Sequence, residues 1–134
     1  METDREAIVR TLSELVAAAD AKQPDGVLAH VELPESAPPG AWSARQFADA
    51  VRFGLPYTAA CRLAKPDVEP AGDTAVGDLR VTVHMAGGGL VVITANLKWA
   101  RRGKEWKIVE ITGVRRGAGT VEDPIVSPDR YRVF

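Results

Sequence analysis

Two stretches of strictly alternating side chains, residues 79–85 and 91–99, constrain this chain more than any other feature in it. In the first, Leu79, Val81, Val83 and Met85 fall on one side and Arg80, Thr82 and His84 on the other. In the second, Val91, Ile93, Ala95, Leu97 and Trp99 oppose Val92, Thr94, Asn96 and Lys98. Side chains of a strand point alternately to its two faces, so each run has one apolar face and one wetter face. Gly87-Gly88-Gly89 joins the two runs, and Arg102-Gly103-Lys104 leads into a third, Trp106 to Ile111. An antiparallel meander with one dry face needs something to cover it.

The front half supplies that cover. Thr3 and Glu6 have the spacing of a capping box, and Ile8, Leu12, Leu15, Val16 and Ala19 then recur at helical intervals. Lys22-Gln23-Pro24 should end this helix, with Asp25 capping a short second one through Val27, Leu28 and Val31. Pro34, Pro38 and Pro39 make residues 34–41 an irregular connector. Ser43 and Gln46 form a second capping box, Trp42 and Phe47 occupy the positions of a hydrophobic staple, and Gly54 is the expected stop. Tyr57 to Leu63 reads as the first long strand, with Tyr57, Ala59, Cys61 and Leu63 on one side. Pro66 and Pro70 bend the next segment or confine it to an edge. The expected architecture is α+β: three N-terminal helices packed on a curved antiparallel sheet, forming a cone over residues 1–116. Residues 117–134 are expected to be a partly docked extension.

At 134 residues the chain has the size of one domain. A net charge of −1 gives no reason to expect a polyanionic partner. Lys98, Arg101, Arg102, Lys104, Lys107, Arg115 and Arg116 gather near one end of the sheet without interleaved aromatics, which suits a solvated rim and not a nucleic-acid surface. No run approaches the roughly 20 apolar residues that span a bilayer. The polar start, Met1 to Glu6, is unlike a targeting leader. A lone cysteine, Cys61, excludes an internal disulfide and suits a reducing, cytoplasmic setting. With His30 and His84 far apart, neither a metal nor a cofactor is expected. The triple-glycine turn lacks a following Lys-Ser/Thr and is a hairpin loop, not a phosphate cradle.

Helix 1 with Ser13-Glu14-Leu15-Val16, the short second helix, and Trp106-Lys107-Ile108-Val109 in the last strand together resemble the nuclear-transport-factor-2-like superfamily over residues 3–116. SnoaL-like polyketide cyclases and ketosteroid isomerases belong to it. The resemblance implies a pocket between helix 1 and the concave sheet face, and frequent dimerisation through the outer face. The isomerases work with a helix-1 tyrosine and two aspartates; the matching positions here are Leu12, Leu33 and Ile93. All three are apolar, so that proton-shuttling chemistry does not carry over.

Three readings therefore stand open. In the first, the cone binds an apolar or aromatic small molecule, lined by Leu12, Val16, Phe47, Val83, Met85, Ile93, Leu97 and Trp99. In the second, it is a SnoaL-like isomerase, cyclase or dehydratase with His30, Glu32 and Tyr57 as acid–base groups, set against solvated edge residues and a core-packed tyrosine ring. In the third, the cone is filled and the protein is a dimeric interaction module. A homodimer is expected through Arg80, Thr82, His84, Thr94 and Asn96. Cys61, without an evident basic neighbour, reads as a small buried hydrophobe.

Overall fold

A computed structural model of the chain describes residues 2–64 and 66–119. Helix α1 spans Asp4–Asp20. The Thr3 hydroxyl accepts the Glu6 N–H and the Glu6 carboxylate accepts the Thr3 N–H, both at 3.2 Å, so two donors that a helix start leaves orphaned are satisfied. Its buried stripe is Ile8, Thr11, Leu12, Leu15 and Val16. Thr11 enters that stripe because its hydroxyl donates back to the Ala7 carbonyl at 2.9 Å.

Helix α2 is Pro24–Leu28, and no side chain caps it. Asp25 thus lies inside the first turn instead of preceding it, because the fixed φ of Pro24 already suits the first helical position. Helix α3, Ala44–Gly54, begins on the expected reciprocal bonds between Ser43 and Gln46. The Trp42 and Phe47 rings meet edge-on with centroids 6.3 Å apart, which is the staple. Gly54 is itself helical at φ −83°, so it is not the stop. Pro56 is: it lacks the N–H the next helical bond needs, and residues Leu55–Tyr57 tighten into a 3-10 turn.

Five strands follow: β1 Thr58–Leu63, β2 Asp67–Ala71, β3 Thr74–Met85, β4 Leu90–Arg102 and β5 Glu105–Gly119. The antiparallel order is β1-β3-β4-β5, and β2 shares the β1 edge of β3. β1 pairs with residues 81–85 of β3 and β2 with residues 74–78. Tyr57 belongs to the 3-10 turn and not to β1, and it is 69% exposed, so neither an inward hydroxyl nor a core-packed ring describes it. β5 runs on to Gly119; the rest of the C-terminal extension lies outside the described residues.

The face under α1 carries the core, including Cys61, Val68, Ala75, Val83, Leu97 and Trp99. β5 departs from simple alternation there. Trp99 pairs with Ile108 but Lys98 with Glu110, leaving Val109 as an extra residue. That bulge shifts the parity, and Trp106, Ile108 and Ile111 all become buried. The outer edge of β5 is covered by the chain between α2 and α3. Glu32 N–H donates to the Ile108 carbonyl at 2.8 Å, Ile108 N–H to His30 at 3.0 Å, and Trp42 N–H to Ile111 at 3.0 Å. An otherwise open ladder of donors and acceptors is closed in this way.

Candidate ligand hollow

The inner sheet face divides into a closed tip and an open half. Trp99 and Leu12 are each 1% exposed, and Ala75, Ala95 and Leu97 beside them are also buried. Next along the strands, the cross-strand pair Val81 and Ile93, with Leu79 and Val91 diagonal to it, is only partly buried, although Ala95 and Val83, the partners of Leu79 and Val91, are themselves buried. Phe47 and Val51 of α3, with Leu33 and Trp42, pack partly buried against the same core. Of the eight expected lining residues, Leu12, Val16, Val83, Leu97 and Trp99 are therefore closed into the core. Phe47, Met85 and Ile93 keep accessible surface. Arg116 is the register partner of Ile93, so it sits on this same face at the rim of the open block. It is exposed, and its side chain has no hydrogen bond or ion pair with another of the described residues. Its face could not be read from the sequence, because parity along β5 changes at the bulges.

The three candidate acid–base residues are not assembled. His30 Nε2 lies 3.8 Å from Glu14 of α1, in a surface chain that continues through Arg10 to Glu2. Glu32 pairs instead with Arg102 of the β4–β5 hairpin at 3.0 Å. Tyr57 stands in solvent beyond α3. No hydrogen bond among the described residues joins any two of them. Within the surface chain, the Arg10 guanidinium lowers the Glu2 carboxyl below its ordinary range.

Cys61 is buried where β1 meets the end of α1, and its backbone N–H donates to the Asp20 carboxylate at 2.8 Å. Burial first, then the Asp20 charge, push the thiol pKa up, against a smaller opposing contribution from Thr58. A folded-state value above the unfolded one means the unfolded chain loses its proton first. The stabilisation is thus complete below the ordinary thiol pKa of about 8.5 and is lost as pH rises toward the folded value. Two outcomes are expected. Alkylation by iodoacetamide at neutral pH should be slow until the protein unfolds, and Asp20→Asn should lower the pH at which the native thiol reacts. Equal alkylation rates for native and unfolded chains would contradict this placement.

On the outer face, Thr82 and Val92 are cross-strand partners and both are buried. His84 is half-buried, while Arg80, Thr94 and Asn96 line a hollow nearer β2. The basic end of the sheet is largely neutralised. Arg101 bonds Asp4, lies 3.8 Å from Asp73 and stacks 5.0 Å over the Trp106 ring. Lys98 pairs with Glu110 at 3.4 Å and Lys107 with Glu105 at 3.5 Å. Such exposed pairs contribute little stability each, and Arg115 and Arg116 are not part of this end, since they pair with Thr94 and Ile93 further along β4. Among the described residues no group of three or more His, Cys, Asp and Glu could hold a metal ion, and no helix is long and apolar enough to cross a membrane.

No protein-family model and no curated protein matches the sequence. Solved structures do match. A protein from Streptomyces avermitilis, assigned as a dehydratase of the nuclear-transport-factor-2-like family, superposes with a TM-score of 0.59 at 16% identity, covering 80% of this chain and 92% of its own. A nuclear-transport-factor-2-like protein of unknown function from Shewanella oneidensis gives 0.65 at 11% identity over 81% and 97%. A protein from Novosphingobium aromaticivorans assigned as a scytalone dehydratase gives 0.59 at 12% over 84% and 86%. At such identities the likeness speaks for backbone architecture and not for chemistry. Helices laid over a bent, unclosed five-stranded sheet, in this order and with these neighbours, are the nuclear-transport-factor-2-like fold.

Proposed function

We propose that this protein binds an apolar or aromatic small molecule in the open half of its cone. The observation that carries the reading is the division of one sheet face. Trp99, Leu97 and Leu12 are sealed, while Leu79, Val81, Val91 and Ile93 keep accessible surface. Four neighbouring aliphatic side chains left partly wet forgo burial worth about 25 cal/mol per Å² of apolar surface, which an apolar ligand would recover. Arg116 at the rim favours a ligand that carries an anionic group at one end. A suitable probe is anilinonaphthalene sulfonate, which is aromatic and anionic. Its fluorescence should rise saturably, and Ile93→Trp, which fills the block, should weaken binding by about tenfold or more, equivalent to about 1.4 kcal/mol. Arg116→Gln should weaken it less. Unchanged binding in a cooperatively melting Ile93→Trp variant would sink the proposal.

A catalytic reading, as a dehydratase, isomerase or cyclase, is supported by the activities assigned to two of the structural neighbours. It would require His30, Glu32 and Tyr57 to leave their present surroundings. Under the binding reading, joint His30→Ala and Glu32→Gln replacement leaves probe affinity unchanged. Self-association through the outer face is proposed at its His84 end, since Arg80, Thr94 and Asn96 turn toward a hollow. Sedimentation velocity of a His84→Glu variant tests it.

A further inference from the structure

The chain between α2 and α3 covers the outer edge of β5 only as far as Thr112, through the Trp42 bond to Ile111 and the Ala41–Thr112 bridge. From Gly113 to Gly119 no strand pairs with that edge among the described residues. Which backbone groups lie on it follows from the ladders. Met85 N–H donates to the Gly89 carbonyl and the Met85 carbonyl accepts from Gly88 N–H, so Met85 turns both groups toward β4. The Arg80 carbonyl accepts from Ala64 N–H on the β1 side, in keeping with that alternation. Arg80, Thr82 and His84 therefore turn their backbone groups away from β4. Their β4 partners Thr94, Val92 and Leu90 turn theirs toward β5, to Arg115, Gly117 and Gly119. Arg116 and Ala118, lying between those three, are left with N–H and C=O groups directed off the sheet. Such an edge is a template for one more strand.

The chain itself supplies a matching segment. Residues 120–134 follow directly from this edge, so a returning stretch meets it at the effective concentration of a short linker, about millimolar. Gly119-Thr120 has the glycine-first form of a two-residue hairpin turn. That turn sets Val121 opposite Ala118, then Asp123 opposite Arg116 and Ile125 opposite Val114. Arg116 lies on the inner face as the partner of Ile93, and Val114 packs against the core there. One register thus brings a carboxylate to an exposed arginine and an isoleucine to a valine. It also sets Pro124 opposite Arg115, where the added strand's N–H would face solvent, so the donor that proline lacks is not needed. A slip of one residue would put Pro124 opposite Arg116, where a donor is required.

We propose that residues 121–126 add to the free edge of β5 as an antiparallel strand, with Asp123 on Arg116 at the rim of the open half. The strand pairing stands without any ligand. Its effect on the open half rests on the binding proposed above: Asp123 occupies the cation that an anionic ligand would use, and so holds probe affinity down.

Amide hydrogen exchange in the full chain tests the pairing. Arg116 and Ala118 N–H should exchange at least about tenfold more slowly than amides of an unpaired segment. Val121→Pro removes a donor that the pairing uses and should abolish this protection. Glu122→Pro, one residue on, removes an N–H that faces solvent and should leave it in place. Asp123→Asn should raise affinity for anilinonaphthalene sulfonate about threefold, the scale of an exposed ion pair. The proposal is overturned if Arg116 and Ala118 exchange as freely as an unpaired segment, or if Val121→Pro leaves them protected. Protection that grows with protein concentration also overturns it, since that assigns the edge to a second copy. Equal dye affinity in Asp123→Asn and the parent overturns the contact with Arg116. Failure of the binding reading shows separately, as protected amides in a chain that takes up no dye.

Discussion

Replacing Gly77 with valine should detach β2 and remove most of the stability of the domain. Gly77 sits opposite Val68 in the β2–β3 ladder, and a Cβ built on it would lie 2.2 Å from the Asp67 carbonyl oxygen. That oxygen is backbone, so no rotamer change relieves the overlap; β2 itself must move. Overpacking a well-packed site costs about 1–3 kcal/mol and more when backbone is displaced. Here the displaced strand also carries the buried Val68, which packs into the core with α1, and burial of a valine is worth about 1.5–3 kcal/mol. Together these reach a large fraction of the 5–15 kcal/mol that hold a typical domain. The expected result in urea unfolding is a midpoint lowered to near zero denaturant, or a chain unfolded at 25 °C. Gly54→Ala is the control, because Gly54 has an ordinary helical φ and nothing within 4 Å of its missing Cβ. It should be neutral or stabilise by up to about 1 kcal/mol. A Gly77→Val chain as stable as the parent would mean that β2 does not approach β3 in this way.

Gly77 also illustrates what the sequence leaves unsaid. Nothing local marks it as a contact point for another strand, since close approach is a property of two segments and not of one. Features decided within a few residues were legible: the boxes at Thr3–Glu6 and Ser43–Gln46, the Trp42–Phe47 staple, and the alternation of β3 and β4. Features decided by long-range pairing were not. Ile111 faces inward only because Val109 bulges, and Arg116 joins the inner rim only through its register with Ile93. Tyr57 continues the apparent period of β1, yet Pro56 winds it into a turn and leaves it in solvent. His30 and Glu32 do lie on the edge segment their spacing suggests, but their partners come from α1 and the β4–β5 hairpin. The candidate site was legible as an apolar face; where that face closes and where it opens depended on how deep α1 sits over each strand. Even the outer hollow needed the register, because Asp67, Asp78 and Arg115 come to line one hollow only when four strands are laid side by side.

The boundary between closed tip and open half is itself measurable at Trp99. It is among the largest fully buried side chains, and its indole N–H has no hydrogen-bond partner among the described residues. Trp99→Ala should cost about 3–5 kcal/mol, the range for deleting a buried aromatic. Trp99→Phe should cost much less than its lost area suggests, because removing an unpaired buried donor recovers about 1–3 kcal/mol. The alanine variant leaves an apolar void at the tip of the cone, and such voids stay dry and accept ring-shaped guests. Added naphthalene should therefore raise the melting temperature of Trp99→Ala and leave that of the parent, whose tip is full, almost unchanged. Indole distinguishes the two halves of the argument, since it restores the missing ring together with the unpaired N–H. Naphthalene should rescue the variant better than indole does. The reverse order would show that the N–H has a partner in solution, in which case the tip is polar enough to admit water and the seal between it and the open half is not complete.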